Sequence, residues 1–409
     1  MAVRIVIGKN FGDEGKGLAV DFFAGQAQKR GEKCLVIRHN GGAQAGHTVD
    51  LPHKRFVFHQ LSAGSFRQAD TLWATHFLPD LFKLEEEIQD FADISGYIPN
   101  IFALESCRCV IIDDVLVNMA LEESRGDARH GSCGMGINEA VVRSENPAFR
   151  LTLGEAANLS ADALARHLAD IRERYVTERL RTFSLNIDNL GIYGELLKDS
   201  NVIRNAAEAM CQHIQRIQII RDPVPLLRHY GQIIFEGAQG LLLDSERLEF
   251  APHLTSSRTG IQYPREFCNA YLPEEMPEVV YVSRTYVTRH GAGPFPFEGG
   301  LENYHISDQT NQPNPWQGAL RFGTHGNPDD FFRPIYEELG QSSFSLMLTH
   351  CNETEGKILF SDWDMDIHDF SRDAIANRSA DAVYLSYSPF SEEIRTYERL
   401  CPSVSMKRK

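Results

Sequence analysis

Hydrophobic and polar positions fall into short blocks along this chain. Val3–Gly8 is a β-branched run ended by glycine and reads as a buried strand, and Gly15–Gln28 reads as the helix after it. Cys34–Arg38, Thr71–Thr75 and Cys109–Asp114 are further apolar runs, the last closing on two aspartates, and each predicts a strand. Leu159, Leu164, Leu168 and Ile171 recur at helical spacing within Leu153–Phe183, and a second helix is predicted over Val202–Ile220. Gln232–Phe235, Val279–Ser283 and Phe344–Leu348 return to strand character. Strands alternating with helices predict an α/β fold, with a large, mostly parallel central sheet and helices on both faces. The pattern reads as one domain over 1–409, with a helical insertion near 150–222 and a mobile substrate loop near 291–330, where Gly, Pro and Asn dominate and periodicity is lost.

Composition narrows the function classes. The 409 residues include 56 acidic and 41 basic side chains, a formal net charge of -15. That balance argues against a nucleic-acid partner, which needs a basic face. No run approaches the ~20 apolar residues of a membrane span. Met1–Gly8 has neither the charged leader nor the apolar length of a signal peptide. The expectation is a cytoplasmic protein without membrane attachment. Eight cysteines without a CxxC pair do not make a disulfide scaffold. The close pair Cys107-Arg108-Cys109 reads as a turn followed by a buried strand cysteine rather than as a metal site.

Two glycine-rich loops carry the candidate chemistry. Gly8-Lys9-Asn10-Phe11-Gly12-Asp13-Glu14-Gly15-Lys16-Gly17 follows a predicted strand and opens a helix. Glycines there let backbone N–H groups approach an anion, the helix N-terminus favours phosphate, and Lys16 adds a point charge. The loop is P-loop-like without being a Walker A motif, since Gly17 stands where that motif has Ser or Thr. Asp13 is the odd residue, because an acid in a phosphate cradle repels phosphate unless it holds Mg²⁺ or takes a proton. Arg38-His39-Asn40-Gly41-Gly42-Ala43-Gln44-Ala45-Gly46-His47-Thr48 follows the second strand, and so lies at the same sheet edge. An Asp-Lys loop beside a loop with His47 points to phosphoryl transfer.

Together these loops resemble adenylosuccinate synthetases, which carry a Gly-Asp-Glu-Gly-Lys-Gly loop and an Ala-Gly-His-Thr loop at this spacing. Glu236-Gly237-Ala238-Gln239-Gly240, Leu242-Leu243-Asp244, Thr255-Ser256-Ser257 and Val287–Pro296 are similar to further segments of that family. The resemblance runs roughly from residue 3 to 395. It implies a purine-biosynthetic ligase in which GTP phosphorylates O6 of IMP and the amino group of aspartate displaces the phosphate. It implies Asp13 as base and His47 as donor to the transferring phosphoryl group, with Mg²⁺ held by Asp13 and the Gly46 carbonyl. Gly12, Gly15, Lys16, Gly17, Gly46, His47, Thr48, His350, Asn352, Ser386 and Ser388 would hold the triphosphate. Gln44, Ser132, Cys133, Gln239 and Thr255 would hold the purine monophosphate. The family is a homodimer in which an arginine reaches the other subunit's nucleotide phosphate, and Arg143 is the candidate here.

Several segments depart from the family pattern. Its Gly-Thr-Thr-Gly-Arg-Gly loop appears as Gly131-Ser132-Cys133-Gly134-Met135-Gly136. Gln44 replaces an Asn, and Ser386-Tyr387-Ser388-Pro389 replaces Ser-x-Gly-Pro. The guanine-reading Thr-Lys-Leu-Asp appears as Thr349-His350-Cys351-Asn352, and Asn352 offers one acceptor and one donor where a carboxylate offers two acceptors. The amino-acid loop with four successive arginines appears as Trp316–Gly323, leaving Arg321 with Gln317 to grip a donor's carboxylates. Three readings follow: an adenylosuccinate synthetase with altered loops, a related ligase with another amino acid, another acceptor or ATP, and a catalytically silent binding or regulatory relative.

Overall fold

The computed structural model describes residues 1–126, 134–306, 308 and 319–398. In chain order its strands begin with β1 (Ala2–Gly8), β2 (Cys34–Arg38), β3 (His47–Leu51), β4 (Lys54–Phe58), β5 (Asp70–Trp73), β6 (Ile101–Leu104), β7 (Gln218–Ile220) and β8 (Gln232–Gly240). They continue with β9 (Glu278–Arg284), β10 (Val287–Arg289), β11 (Arg321–Gly323), β12 (Phe344–Thr349), β13 (Lys357–Leu359), β14 (Asp364–Asp366), β15 (Ala380–Leu385) and β16 (Arg395–Glu398). Ten of them form one sheet in the order β16-β15-β12-β9-β1-β8-β2-β5-β6-β7, parallel throughout except for the edge pair β15/β16. Short antiparallel hairpins pair β3 with β4, β10 with β11 and β13 with β14.

The pleat explains why the central strands read as continuous apolar runs. On β1, Val6 faces one side while Val3, Ile5 and Ile7 face the other, and each side has its own core. The first core receives Ala19, Val20, Phe23 and Ala24 of α1 (Lys16–Lys29). The second receives Phe331, Phe332 and Ile335 of the helix Pro328–Leu339 and Phe370 of the helix Ile367–Asn377. The helical segment near 153–213 packs mainly through Leu164, Leu168, Ile171, Ala207 and Met210 onto the first core.

Three expectations change. The run Cys109–Asp114 is not a strand: a helix starts at Ile112 and runs to Ser124. Asp114 accepts the Ile111 N–H at 3.0 Å, and Asp113 and Asp114 both occupy its first turn, where a helix N-terminus favours negative charge. The strand that pairs with β5 is instead Ile101–Leu104. The helix expected over Val202–Ile220 spans Ser200–His213, and Gln218–Ile220 extends as edge strand β7, where β-branched Ile219 and Ile220 suit the pleat. The pattern within Leu153–Phe183 is broken into helices Leu153–Ala157, Ala161–Ile171 and Thr177–Thr182, with Ser160 capping the second through the Ala163 N–H. Cys107 and Cys109 are both buried, and their thiols donate to the carbonyls of Phe77 and Leu151. Among the described residues, no helix is long and apolar enough to cross a membrane.

Candidate active site

The carboxyl ends of β1, β8, β2, β9 and β12 open onto a cleft of about 1200 Å³. The loop after β1 forms its floor. Glu14 folds that loop: its carboxylate accepts the N–H groups of Asn10 (3.0 Å) and Gly12 (2.8 Å) and pairs with Lys16 at 2.8 Å. A Cβ on Gly8 would lie 2.2 Å from the Glu14 carboxylate, so only glycine leaves room for this arrangement. Gly15 adopts φ 96° at the start of α1, which turns the loop into the helix without a steric penalty. Nothing in the local sequence marks Glu14; folding buries it beside a lysine of the same loop.

Asp13 sits at φ 61° with its carbonyl held by Arg284 Nε at 2.6 Å and its carboxylate 3.5 Å from His290 Nε2. Burial raises its pKa, partly offset by the positive charges of His290, Arg284 and Lys16. A carboxyl group in that state is poised to accept a proton. Arg284 is in turn fixed by Tyr286 and Asp308 at 2.8 and 2.7 Å.

His47 opens β3 on the opposite wall. Its Nδ1 lies 2.5 Å from a carboxylate oxygen of Glu236, whose other oxygen accepts the Ala63 N–H at 3.3 Å and lies 3.9 Å from Arg38 Nε. The pair is buried, and His47 Nε2 has no partner among the described residues. Glu236 therefore selects the tautomer that carries the proton on Nδ1 and leaves Nε2 for a ligand. Burial lowers the His47 pKa to about 4 despite Glu236, while His47 and Arg38 overcome burial to hold Glu236 below the usual carboxylate range. Ring nitrogen and carboxylate thus form a base–orienter pair of the kind that general acid–base sites use. Glu236 heads the Glu-Gly-Ala-Gln-Gly motif, but its pairing with a ring 189 positions away has no local sequence signal.

The remaining expected residues divide clearly. Gly12, Gly15, Lys16, Gly17, Gln44, Gly46 and Thr48 line the same cleft, as do Gln239 and Thr255 on one side and His350, Asn352, Ser386 and Ser388 on another. Gln44 has a buried side-chain oxygen without a partner among the described residues. His350 stands at φ 58° with Nδ1 2.9 Å from the Thr349 hydroxyl, Asn352 is exposed, and the Ser386 hydroxyl donates to the Ser388 carbonyl at 2.6 Å. Ser132, Cys133 and Gln317 lie outside the described residues.

Two arginines do not join the cleft. Arg143 does not project from the surface toward a second subunit. It is wholly buried, with Nε and Nη2 each 2.9 Å from Asp114 and further bonds to the carbonyls of Cys109 and Phe149. Arg143 pins the start of one helix to the end of the next, and reaching another nucleotide would leave Asp114 buried without a partner. Arg321 stands in β11, paired bidentately with Glu298 and donating to the carbonyls of Gly291 and Gly293. It spends its donors bracing the hairpin loop.

The adenylosuccinate synthetase family model matches residues 5–312. The chain belongs to the adenylosuccinate synthetase family. Curated adenylosuccinate synthetases of Pseudomonas paraeruginosa and Acinetobacter baylyi are each 29% identical over 312 residues, covering 72% of this chain and 64% and 63% of those proteins. The matched part thus spans less than two thirds of the length of these relatives. Two solved structures share the fold. Fully ligated adenylosuccinate synthetase from Plasmodium falciparum gives a TM-score of 0.67 at 16% identity, covering 97% of this chain and 100% of that one. The succinoaminodeoxyadenylate synthetase of cyanophage S-2L, bound to dGMP and to dATP as an energy donor, gives 0.63 at 15%, covering 97% and 95%. The family match includes Asp13, His47 and Glu236 and ends before Arg321, Asn352 and Ser386. The altered segments near the C-terminal end thus lie outside it.

Proposed function

We propose that this chain is a carbon–nitrogen ligase that joins an amino acid to a 6-oxopurine monophosphate through a 6-phosphoryl intermediate. The observation that carries this reading is the placement of Asp13 and an unpartnered His47 Nε2 on one cleft at the sheet's carboxyl edge. In the first step Asp13 takes the N1 proton of the purine. O6 then attacks the terminal phosphorus of the triphosphate, and the diphosphate leaves. Lys16 and the backbone N–H groups of the loop hold the phosphates. His47, protonated as negative charge enters its surroundings, donates from Nε2 to the transferring group. In the second step the donor's neutral amine attacks C6, phosphate leaves with the C6–O6 bond electrons, and the proton lost from the new C6–N nitrogen goes to the departing phosphate.

The Asp13 carboxylate and the Gly46 carbonyl are hard oxygen donors on the same cleft, a set that fits Mg²⁺, which takes few protein ligands and keeps several waters. Bound there, Mg²⁺ would neutralise charge on the transferring phosphoryl group. IMP and aspartate are the substrates in the family reading, and the assembly is a homodimer without Arg143 crossing between subunits. For the triphosphate, Asn352 favours ATP over GTP. Its amide matches adenine's donor-plus-acceptor edge and leaves guanine's two donors one acceptor short. The cyanophage protein's use of dATP as energy donor supports the same choice.

The test is phosphate release and adduct mass across triphosphates, purine monophosphates and amino acids with Mg²⁺. The reading predicts release only when all three partners are present together. No release in any combination would leave the silent-relative reading in its place.

A further inference from the structure

Among the described residues the cleft holds five arginines, and four of them are neutralised. Arg55 pairs with Asp50, Arg125 with Glu122, Arg179 with Glu139 and Arg284 with Asp308. Arg289 is the exception, with no carboxylate partner among the described residues. It is 1% exposed, so its charge has lost water without gaining an anion. Its Nη1 donates to the Pro294 carbonyl at 2.6 Å and its Nη2 to the His253 carbonyl at 3.2 Å, while its buried Nε has no acceptor among the described residues. The guanidinium lies 4.4 Å from the Phe11 ring centroid and 5.7 Å from that of Phe250. These faces stabilise a cation without neutralising it.

The neighbours sharpen the contrast. Arg321 is the register partner of Arg289 across the β10/β11 hairpin, so two like charges stand opposite each other. Arg321 has Glu298, and among the described residues Arg289 has nothing comparable. Burial, and then Arg321, lower the Arg289 pKa to about 10. A buried, unpaired guanidinium beside a cleft is costly unless a ligand completes it. Its location identifies the ligand. Phe11 adjoins Gly12 and Asp13, the phosphoryl-transfer side, and His253 leads into Thr255, the proposed acceptor side. The incoming amine must meet the purine between those two segments.

We propose that Arg289 is the seat for a carboxylate of the amine donor, taking the place left by the missing arginine run. This rests on the ligase reading above. It assigns the donor to amino acids whose carboxylate can lie against Arg289, and it removes Arg321 from that role.

The experiment compares wild type, Arg289→Lys, Arg289→Gln and Arg321→Lys with L-aspartate as the probe, or with whichever amino acid the screen shows to react. Arg289→Gln should raise the KM for the donor roughly 30-fold or more, with Arg289→Lys between it and wild type, because a fixed charged fork is lost. The KM values for triphosphate and monophosphate should stay within about 3-fold, and Arg321→Lys should move the donor KM far less. Calorimetric titration of each variant with the monophosphate reports folding independently of turnover, and Arg289→Lys keeps the charge if Arg289→Gln does not fold. An unchanged donor KM in Arg289→Lys, or an equal rise for nucleotides and donor, overturns the proposal while the ligase reading stands. Wild type that condenses no amino acid at all defeats the ligase reading instead, and this proposal with it.

Discussion

Replacing Glu236 by Gln tests the chemistry of the site through a residue expected to touch no substrate. Glu236 lies 2.5 Å from His47 Nδ1, buried, and its second oxygen serves Ala63 and Arg38. The amide keeps the shape and the capacity to accept one hydrogen bond. It loses the negative charge that, in the proposed reaction, would support an imidazolium as His47 donates to the transferring phosphoryl group. A hydrogen bond to a charged partner contributes about 1.5–3 kcal/mol, so turnover should fall on the order of 10- to 100-fold. KM values should change little, because the loss falls on the transition state. Arg38, without hydrogen-bond partners at Nε and Nη2 among the described residues, would also lose its carboxylate, so melting temperature is measured alongside. The assay is phosphate release with saturating triphosphate, purine monophosphate, amino acid and Mg²⁺, in Glu236→Gln, His47→Gln and the double variant. If Glu236 acts through His47, its replacement costs nothing further once His47 is gone. A full, additive loss in the double variant would refute the orienting role.

Other outcomes follow from the same geometry. Asp13→Asn tolerates the left-handed backbone at φ 61° and should fold normally, yet lose about 100-fold or more in turnover, read by phosphate release. ATP should serve at least as well as GTP, and a GTP preference above ~1000-fold in kcat/KM would contradict the role of Asn352. Arg143→Met should cost about 3–5 kcal/mol in denaturant unfolding by stranding Asp114, and mixing the variant with Asp13→Asn should restore no activity, as Arg143 serves its own subunit. His39 is buried with neither ring nitrogen partnered among the described residues, and burial lowers its pKa to about 3. The unfolded chain protonates it near pH 6.5, so its share of stability is present above that pH and is lost as pH falls toward 3. Unfolding measured from pH 6 to 4.5 should show a slope about 1.4 kcal/mol per pH unit shallower in His39→Phe than in wild type.

Much of this protein is legible one residue at a time. β1 and β2 are apolar because both their faces are buried, and the loops after them advertise anion chemistry through glycine, lysine and histidine. The pairing of those loops at one edge follows from parallel connectivity, so Asp13, Lys16 and His47 could be named from sequence. Partnership between distant residues was not legible. Glu236 stands 189 positions from His47, and only the insertion of β8 between β1 and β2 sets it against the ring. Arg143 looks like any surface arginine until Asp114, 29 positions away, encloses its charge. Arg321 and Arg289 carry the same group at the same register, yet Glu298 occupies one and leaves the other open. Cys109–Asp114 reads as a strand from its apolar run, and becomes a loop and helix start because Asp114 caps it and Arg143 anchors it. Local patterning sets what an individual segment can form, because propensity and burial act over a few residues. Which charges are satisfied, and so which remain for a ligand, depends on contacts that exist only in the folded chain.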